Sequence, residues 1–148
     1  METKTDMKST ERINNLLNVF KSMNDWESRY QYLIKLGKTI PPMKPELLTE
    51  ENKIRGCQSQ VWLAVKANDG ETLHFEAESD ALIVKGLISL LLTVYQDLSP
   101  AEIIQTSPQF IKDLGFDQHL SPSRANGLQA MLKQIQYYAK AYQYLLKK

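Results

Sequence analysis

The fold is decided by Val61-Trp-Leu-Ala-Val-Lys-Ala-Asn-Asp-Gly-Glu-Thr-Leu-His-Phe-Glu-Ala-Glu78 and by the apolar run at 81–97 that follows it. Val61, Leu63 and Val65 alternate with Trp62, Ala64 and Lys66, the period-two signal of a strand, with apolar residues on both faces. Leu73, Phe75 and Ala77 alternate with His74, Glu76 and Glu78, so the second strand has one wet face. Asn68-Asp69-Gly70 between them is a turn signal, because Gly70 takes a positive φ at no steric cost. Two strands are marginal alone, so a third near residues 53–56, or helices on one face, must complete the sheet. After Ser79-Asp80, read as a capping pair, most of 81–97 is hydrophobic, which predicts a helix through the centre of the molecule. Lys85 and Gly86 interrupt this run, and it is shorter than the roughly 20 apolar residues of a membrane span.

Helices are predicted on both sides of this centre. Upstream, Ile13, Leu16, Leu17 and Phe20 share one helical face. Asp25 can cap a second helix in which Trp26, Tyr30, Leu33 and Ile34 share a face and Gly37 is the stop. Pro41, Pro42 and Pro45 then exclude regular helix from a connection that reaches Asn52. Downstream, Ser99-Pro100, Ser107-Pro108 and Ser121-Pro122 each place a hydroxyl at the N-cap and proline at the first helical position. The last helix is long, with Leu128, Leu132, Ile135, Ala139, Tyr142 and Leu146 at helical spacing and Gly127 as its weak point. No repeat or linker divides the chain. The expectation is a single segregated α+β domain over residues 1–148: a small antiparallel β-meander against several helices, with residues 1–10 as a flexible segment.

Composition then narrows the function classes. The chain has 148 residues, long enough to bury a core without disulfide or metal support. Its net charge of +1 gives no bulk electrostatic reason to expect nucleic acid or anionic membrane as a partner. A single cysteine, Cys57, excludes an intrachain disulfide framework and any Cys-rich zinc or iron–sulfur site built by this chain alone. Residues 1–11 are polar, without the apolar core of a secretory signal, so a cytoplasmic protein with a reduced thiol is expected.

Cys57 lies in Asn52-Lys-Ile-Arg-Gly-Cys-Gln-Ser-Gln-Val-Trp62. A lone cysteine is ordinarily a small core hydrophobe. Gly56, Gln58, Ser59 and Gln60 are not core residues, however. They suit a turn at the mouth of the following strand, with Gly56 allowing close backbone approach. Arg55 would favour a thiolate if its side chain turned toward the sulfur. On the residues alone, a buried thiol and a reactive loop thiol both stand. A Cys-dependent hydrolase or transferase would need an imidazole, and only His74 or His119 could supply one. His74 falls on the wet strand face, and His119 precedes a helix start where packing or capping is its ordinary role. A non-catalytic interaction module with a structural Cys57 is a further reading.

Gly56-Cys-Gln-Ser-Gln-Val-Trp62 resembles the active-site signature of the SufE family of sulfur-acceptor proteins. Three more blocks agree in order and spacing: Trp26-Glu27 with Tyr30 and Leu33 through Gly37, Ser79-Asp-Ala-Leu-Ile-Val-Lys-Gly86, and His119-Leu-Ser-Pro-Ser-Arg-Ala-Asn-Gly127. The resemblance covers about residues 13–135 and implies the SufE/NifU-like fold. It also implies that Cys57 takes sulfane sulfur from the cysteine persulfide of a pyridoxal-phosphate cysteine desulfurase, SufS-like or a paralogue. Such a protein stimulates the desulfurase, passes sulfur on toward iron–sulfur scaffold proteins, and needs no cofactor or metal of its own.

Arg55, Gly56, Gln58, Ser59, Asp80, His119 and Arg124 are then expected to contact the partner or position the loop. Asp80 is equally read as a helix N-cap and Arg124 as a first-turn surface charge. Iron–sulfur scaffolds of the NifU/IscU type share the fold but hold a cluster on several thiolates, which one cysteine cannot supply. A homodimer is left open. The mixed setting of Cys57, with Gln58-Ser59-Gln60 on one side and Ile54, Val61 and Trp62 on the other, suggests a thiol tucked inward at rest and swung out on docking.

Overall fold

The computed structural model describes residues 7–57 and 59–146. The hairpin is present: β1 (Val61–Asn68) pairs antiparallel with β2 (Thr72–Ser79), from Val61 opposite Ser79 to Asn68 opposite Thr72. Asp69 and Gly70 both take positive φ, 50° and 75°, and Glu71 N–H closes the turn on the Asn68 carbonyl at 2.9 Å. Two successive left-handed residues match the twist of the strands they join. Leu73, Phe75 and Ala77 are buried, while His74, Glu76 and Glu78 keep partial exposure.

The expected third strand is reduced to a single bridge. Lys53 pairs with Trp62, with Ile54 N–H on the Val61 carbonyl and Leu63 N–H on the Asn52 carbonyl, both at 2.8 Å. The meander is therefore two strands and a bridged segment, because the chain turns away at Gly56, whose φ is +89°. The far edge of β2 is closed differently. The Gln96 side chain accepts from Phe75 N–H (2.7 Å) and donates to its carbonyl (2.8 Å), standing in for a neighbouring strand.

Helices α1 (Lys8–Lys21), α2 (Trp26–Gly37), α3 (Leu82–Tyr95) and α7 (Pro122–Leu145) surround the hairpin, with short α4 (Pro100–Gln105), α5 (Gln109–Asp113) and α6 (Phe116–His119) between the last two. As expected for its composition, α3 is the central element, packing on β2, α1, α2 and α7. Lys85, the charge inside its apolar run, pairs with Glu78 at 3.1 Å. Asp25, Ser99 and Ser121 cap α2, α4 and α7 through their side chains, at Ser28, Glu102 and Arg124 N–H respectively. Ser107 works one residue out of step: its hydroxyl accepts from Gln109 N–H, and α5 begins after Pro108.

The N-terminal expectation needs correction. Residues 1–6 lie outside the described residues, but α1 begins at Lys8, inside the segment read as flexible. The reason is a buried polar cluster. Ser9 N–H donates to the Glu102 carboxylate at 3.1 Å, and its hydroxyl accepts from Thr106 at 2.7 Å. One turn on, Arg12 donates to the Val94 and Gln96 carbonyls at the end of α3. No helix among the described residues is long and apolar enough to cross a membrane.

Candidate thiol site

The backbone pairing of Ile54 with Val61 closes a loop over residues 55–60, and Cys57 sits in it. Gly56 needs no side-chain room, since a Cβ there would lie 4.0 Å from Ala130 Cβ, but its φ of +89° excludes most other residues. The loop is tied down at its far end by Asp80. The Asp80 carboxylate accepts from Gln60 N–H at 3.0 Å, and Asp80 N–H donates to the Gln60 carbonyl at 3.3 Å. Asp80 is therefore not the cap of α3. Ala81 holds that position without a side-chain cap, and Ser79 Oγ accepts from Ala81 N–H. The carboxylate turns to Gln60 because that N–H lies beyond the end of the strand ladder and needs an acceptor.

The Cys57 side chain is half-buried and lies against the second turn of α7. The sulfur packs over Gly127: a Cβ built there would lie 3.5 Å from Cys57 Sγ, an ordinary contact. The thiol also makes a long contact with the Gly127 carbonyl at 3.9 Å. Around it is a cavity of about 310 Å³. Val61, Val84, Leu87, Leu128 and Met131 form its apolar wall, and Ser59, Ser121, Ser123 and Arg124 its polar part. Burial pushes the Cys57 thiol above its ordinary pKa, with no charge acting in the opposite sense. Burial therefore disfavours the thiolate where the side chain rests.

The structure sorts the remaining candidates. Ser59 and Arg124 reach the cavity, and Gly56 and Asp80 shape the loop. Arg55 is exposed and does not line the cavity, so the idea that it favours a thiolate is not met in this conformation. Gln58 lies outside the described residues.

His119 is exposed at the end of α6, its ring stacked on Trp26 with centroids 4.0 Å apart and 15° between planes. Its carbonyl accepts from the Tyr30 hydroxyl. It braces the approach to α7 and does not line the thiol cavity, so it supplies no base to Cys57. His74 pairs with Asp97 at 2.9 Å and lines a different groove. The Cys–His pair required by a hydrolase is not assembled here. Among the described residues, no three His, Cys, Asp or Glu side chains cluster as a metal site would require.

Gly127 was legible only as a helix weakness. Its signal was a glycine in the interior of an otherwise good helix, which often marks close approach of another group.

The site is thus a half-buried thiol on an anchored loop, facing a cavity of mixed apolar and polar lining at the start of a long helix. The SufE family model, described as an Fe-S metabolism associated domain, matches residues 14–139. The chain belongs to the SufE family and so to the proteins of iron–sulfur metabolism. Its fold is similar to the solution structure of a hypothetical protein from Thermus thermophilus, with a TM-score of 0.73 and 24% identity over 88% of this chain and 95% of that one.

Proposed function

We propose that the protein accepts sulfane sulfur on Cys57 from the persulfide of a cysteine desulfurase, speeds that enzyme's turnover, and hands the sulfur on for iron–sulfur cluster assembly. The observation that carries this reading is the seat of Cys57: a single thiol on a tethered loop, lodged over Gly127 beside a cavity large enough for an added sulfur atom. The pyridoxal phosphate belongs to the desulfurase.

The Cys57 thiolate attacks the outer sulfur of the donor persulfide. A new S–S bond forms at Cys57, the donor's S–S bond breaks, and the donor cysteine leaves as a thiolate, with no net change in oxidation. The Cys57 proton passes to solvent or to a donor group before attack. Returned to its seat, the persulfide has the apolar wall of the cavity between it and stray thiols or oxidants. Loading requires the loop to swing out, since the thiolate is disfavoured where the side chain rests.

This gating has a pH signature. A thiol whose folded pKa is raised stabilises the seated state below its ordinary pKa and loses that contribution as pH climbs through the raised value. Alkylation of native Cys57 is expected to be slower than that of the unfolded chain at neutral pH, with a midpoint shifted to higher pH. Adding the desulfurase should accelerate it. Equal rates with and without the partner would contradict the gate. Asp80→Ala removes the Gln60 tether and should raise the resting alkylation rate severalfold; a rate equal to wild type would show that the tether does not hold the loop. A cognate desulfurase whose turnover of cysteine is unchanged by the protein would contradict the function.

A further inference from the structure

Lys133, Tyr137, Lys140 and Tyr144 are spaced by four, three and four residues, which places them in one line along α7. All four are exposed, Tyr137 at 64% and Tyr144 at 81%, while Leu128, Leu132, Ile135 and Ala139 bury the opposite face. Carried back toward the start of the helix, the line passes Ala130, the residue nearest to Gly56 of the thiol loop. Loop and stripe therefore share one surface, about 21 Å long from Ala130 to Tyr144 at the helical rise.

The charge of this surface is one-sided: it carries Lys133 and Lys140, and α7 has no Asp or Glu in its 24 residues, while Arg124, nine residues before Lys133, falls on the opposite side of the helix. In the sequence no acidic residue follows Asp117, although the chain as a whole is nearly neutral at +1. A carboxylate, Glu71, stands at the Tyr144 end, where it lines a groove with Lys140; none stands on α7 itself. The near-zero net charge of the chain thus conceals a lysine-bearing surface next to the thiol loop.

We infer that this stripe is the docking surface for the sulfur-donor protein, which meets it with a carboxylate-bearing segment whose apolar side chains cover the tyrosines. The inference rests on the sulfur-acceptor reading. A donor must bring its persulfide to bonding distance of Cys57, so it must cover the surface that adjoins the loop. Exposed tyrosines supply contact area at low entropic cost, and the lysines steer an acidic partner into register. Nucleic acid fits less well: two cations about 10 Å apart are sparse against one phosphate charge per roughly 1.7 Å of duplex.

The test is the double variant Lys133→Glu/Lys140→Glu, with Tyr137→Ala as a second, uncharged probe. Sulfur loading of Cys57 is followed by intact mass, with a cognate desulfurase plus cysteine at varied desulfurase concentration, and separately with inorganic polysulfide. Loading by polysulfide should match wild type in both variants, which also reports intact folding at the site. The half-saturating desulfurase concentration should rise about tenfold in the double variant, and added salt should slow wild-type loading far more than the variant's. Tyr137→Ala should raise it severalfold without changing the salt response.

Saturation identical to wild type in both variants would overturn the inference while leaving Cys57 as the acceptor. A wild-type chain that gains no sulfur from the desulfurase would instead remove the acceptor reading, and this inference with it. Dissociation of a wild-type dimer, or loss of nucleic-acid binding, with desulfurase saturation unchanged would assign the stripe to another occupant and equally overturn it.

Discussion

Gly86→Ala is expected to destabilise the protein severely. A Cβ at Gly86 would lie 2.3 Å from the Leu33 carbonyl oxygen and 2.6 Å from its carbon, both backbone atoms of α2. Gly37 meets α3 in the same way, with a Cβ 2.8 Å from Gly86 N. The two helices touch backbone to backbone, so no rotamer change relieves the contact and the helices must move apart. Overpacking a core typically costs about 1–3 kcal/mol and occasionally more, and a clash with main chain belongs at the upper end. Alanine recovers only about 1 kcal/mol of helix propensity over glycine, so the clash wins.

Against a total stability of about 5–15 kcal/mol, the loss is large enough to be seen as a lowered denaturation midpoint or as aggregation during expression. Gly127→Ala is the matched contrast. Its Cβ would meet Cys57 Sγ at 3.5 Å, an ordinary contact, so stability should hold or rise slightly. Equal melting temperatures for Gly86→Ala and wild type would show that α2 and α3 do not cross at these glycines.

Cys57→Ser is expected to do the opposite: abolish sulfur acceptance while leaving the fold intact. The side chain is only half-buried and forms no disulfide, and serine is close to cysteine in size, so a stability change within about 0.5–1 kcal/mol is expected. The hydroxyl cannot form a persulfide, and the chain has no second thiol to substitute. Sulfur uptake should therefore fall to background, and stimulation of the desulfurase should fall with it. A non-catalytic interaction module would show the same small change in stability but no change in function. A hydrolase working through His119 would lose activity in His119→Ala, a variant that should here leave polysulfide loading of Cys57 unchanged because the ring packs on Trp26.

The parts of this structure governed by neighbours in sequence are legible in the sequence. The turn at Asp69-Gly70, the caps at Asp25, Ser99 and Ser121, and the central apolar helix each follow from local sterics, hydrogen bonding or periodicity. Three features were not legible, and all depend on residues far apart in the chain. Ser9 is ordered by Glu102 and Thr106, so the start of α1 could not be read from its polar sequence. Asp80 looked like a cap because it precedes a helix, yet its partner is Gln60, twenty residues earlier. Gly127 looked like a flaw in a helix until Cys57, seventy residues away, was placed over it. The quoted blocks ending at Gly37 and Gly86 carry the same lesson, since those two glycines are the crossing point of α2 and α3.

The most direct test of the sulfur-acceptor account is the intact mass of the protein after incubation with a cysteine desulfurase and cysteine, recorded without reductant. The account predicts a gain of one sulfur atom on the wild-type chain and none on Cys57→Ser. No gain on the wild-type chain with any cognate desulfurase would contradict it.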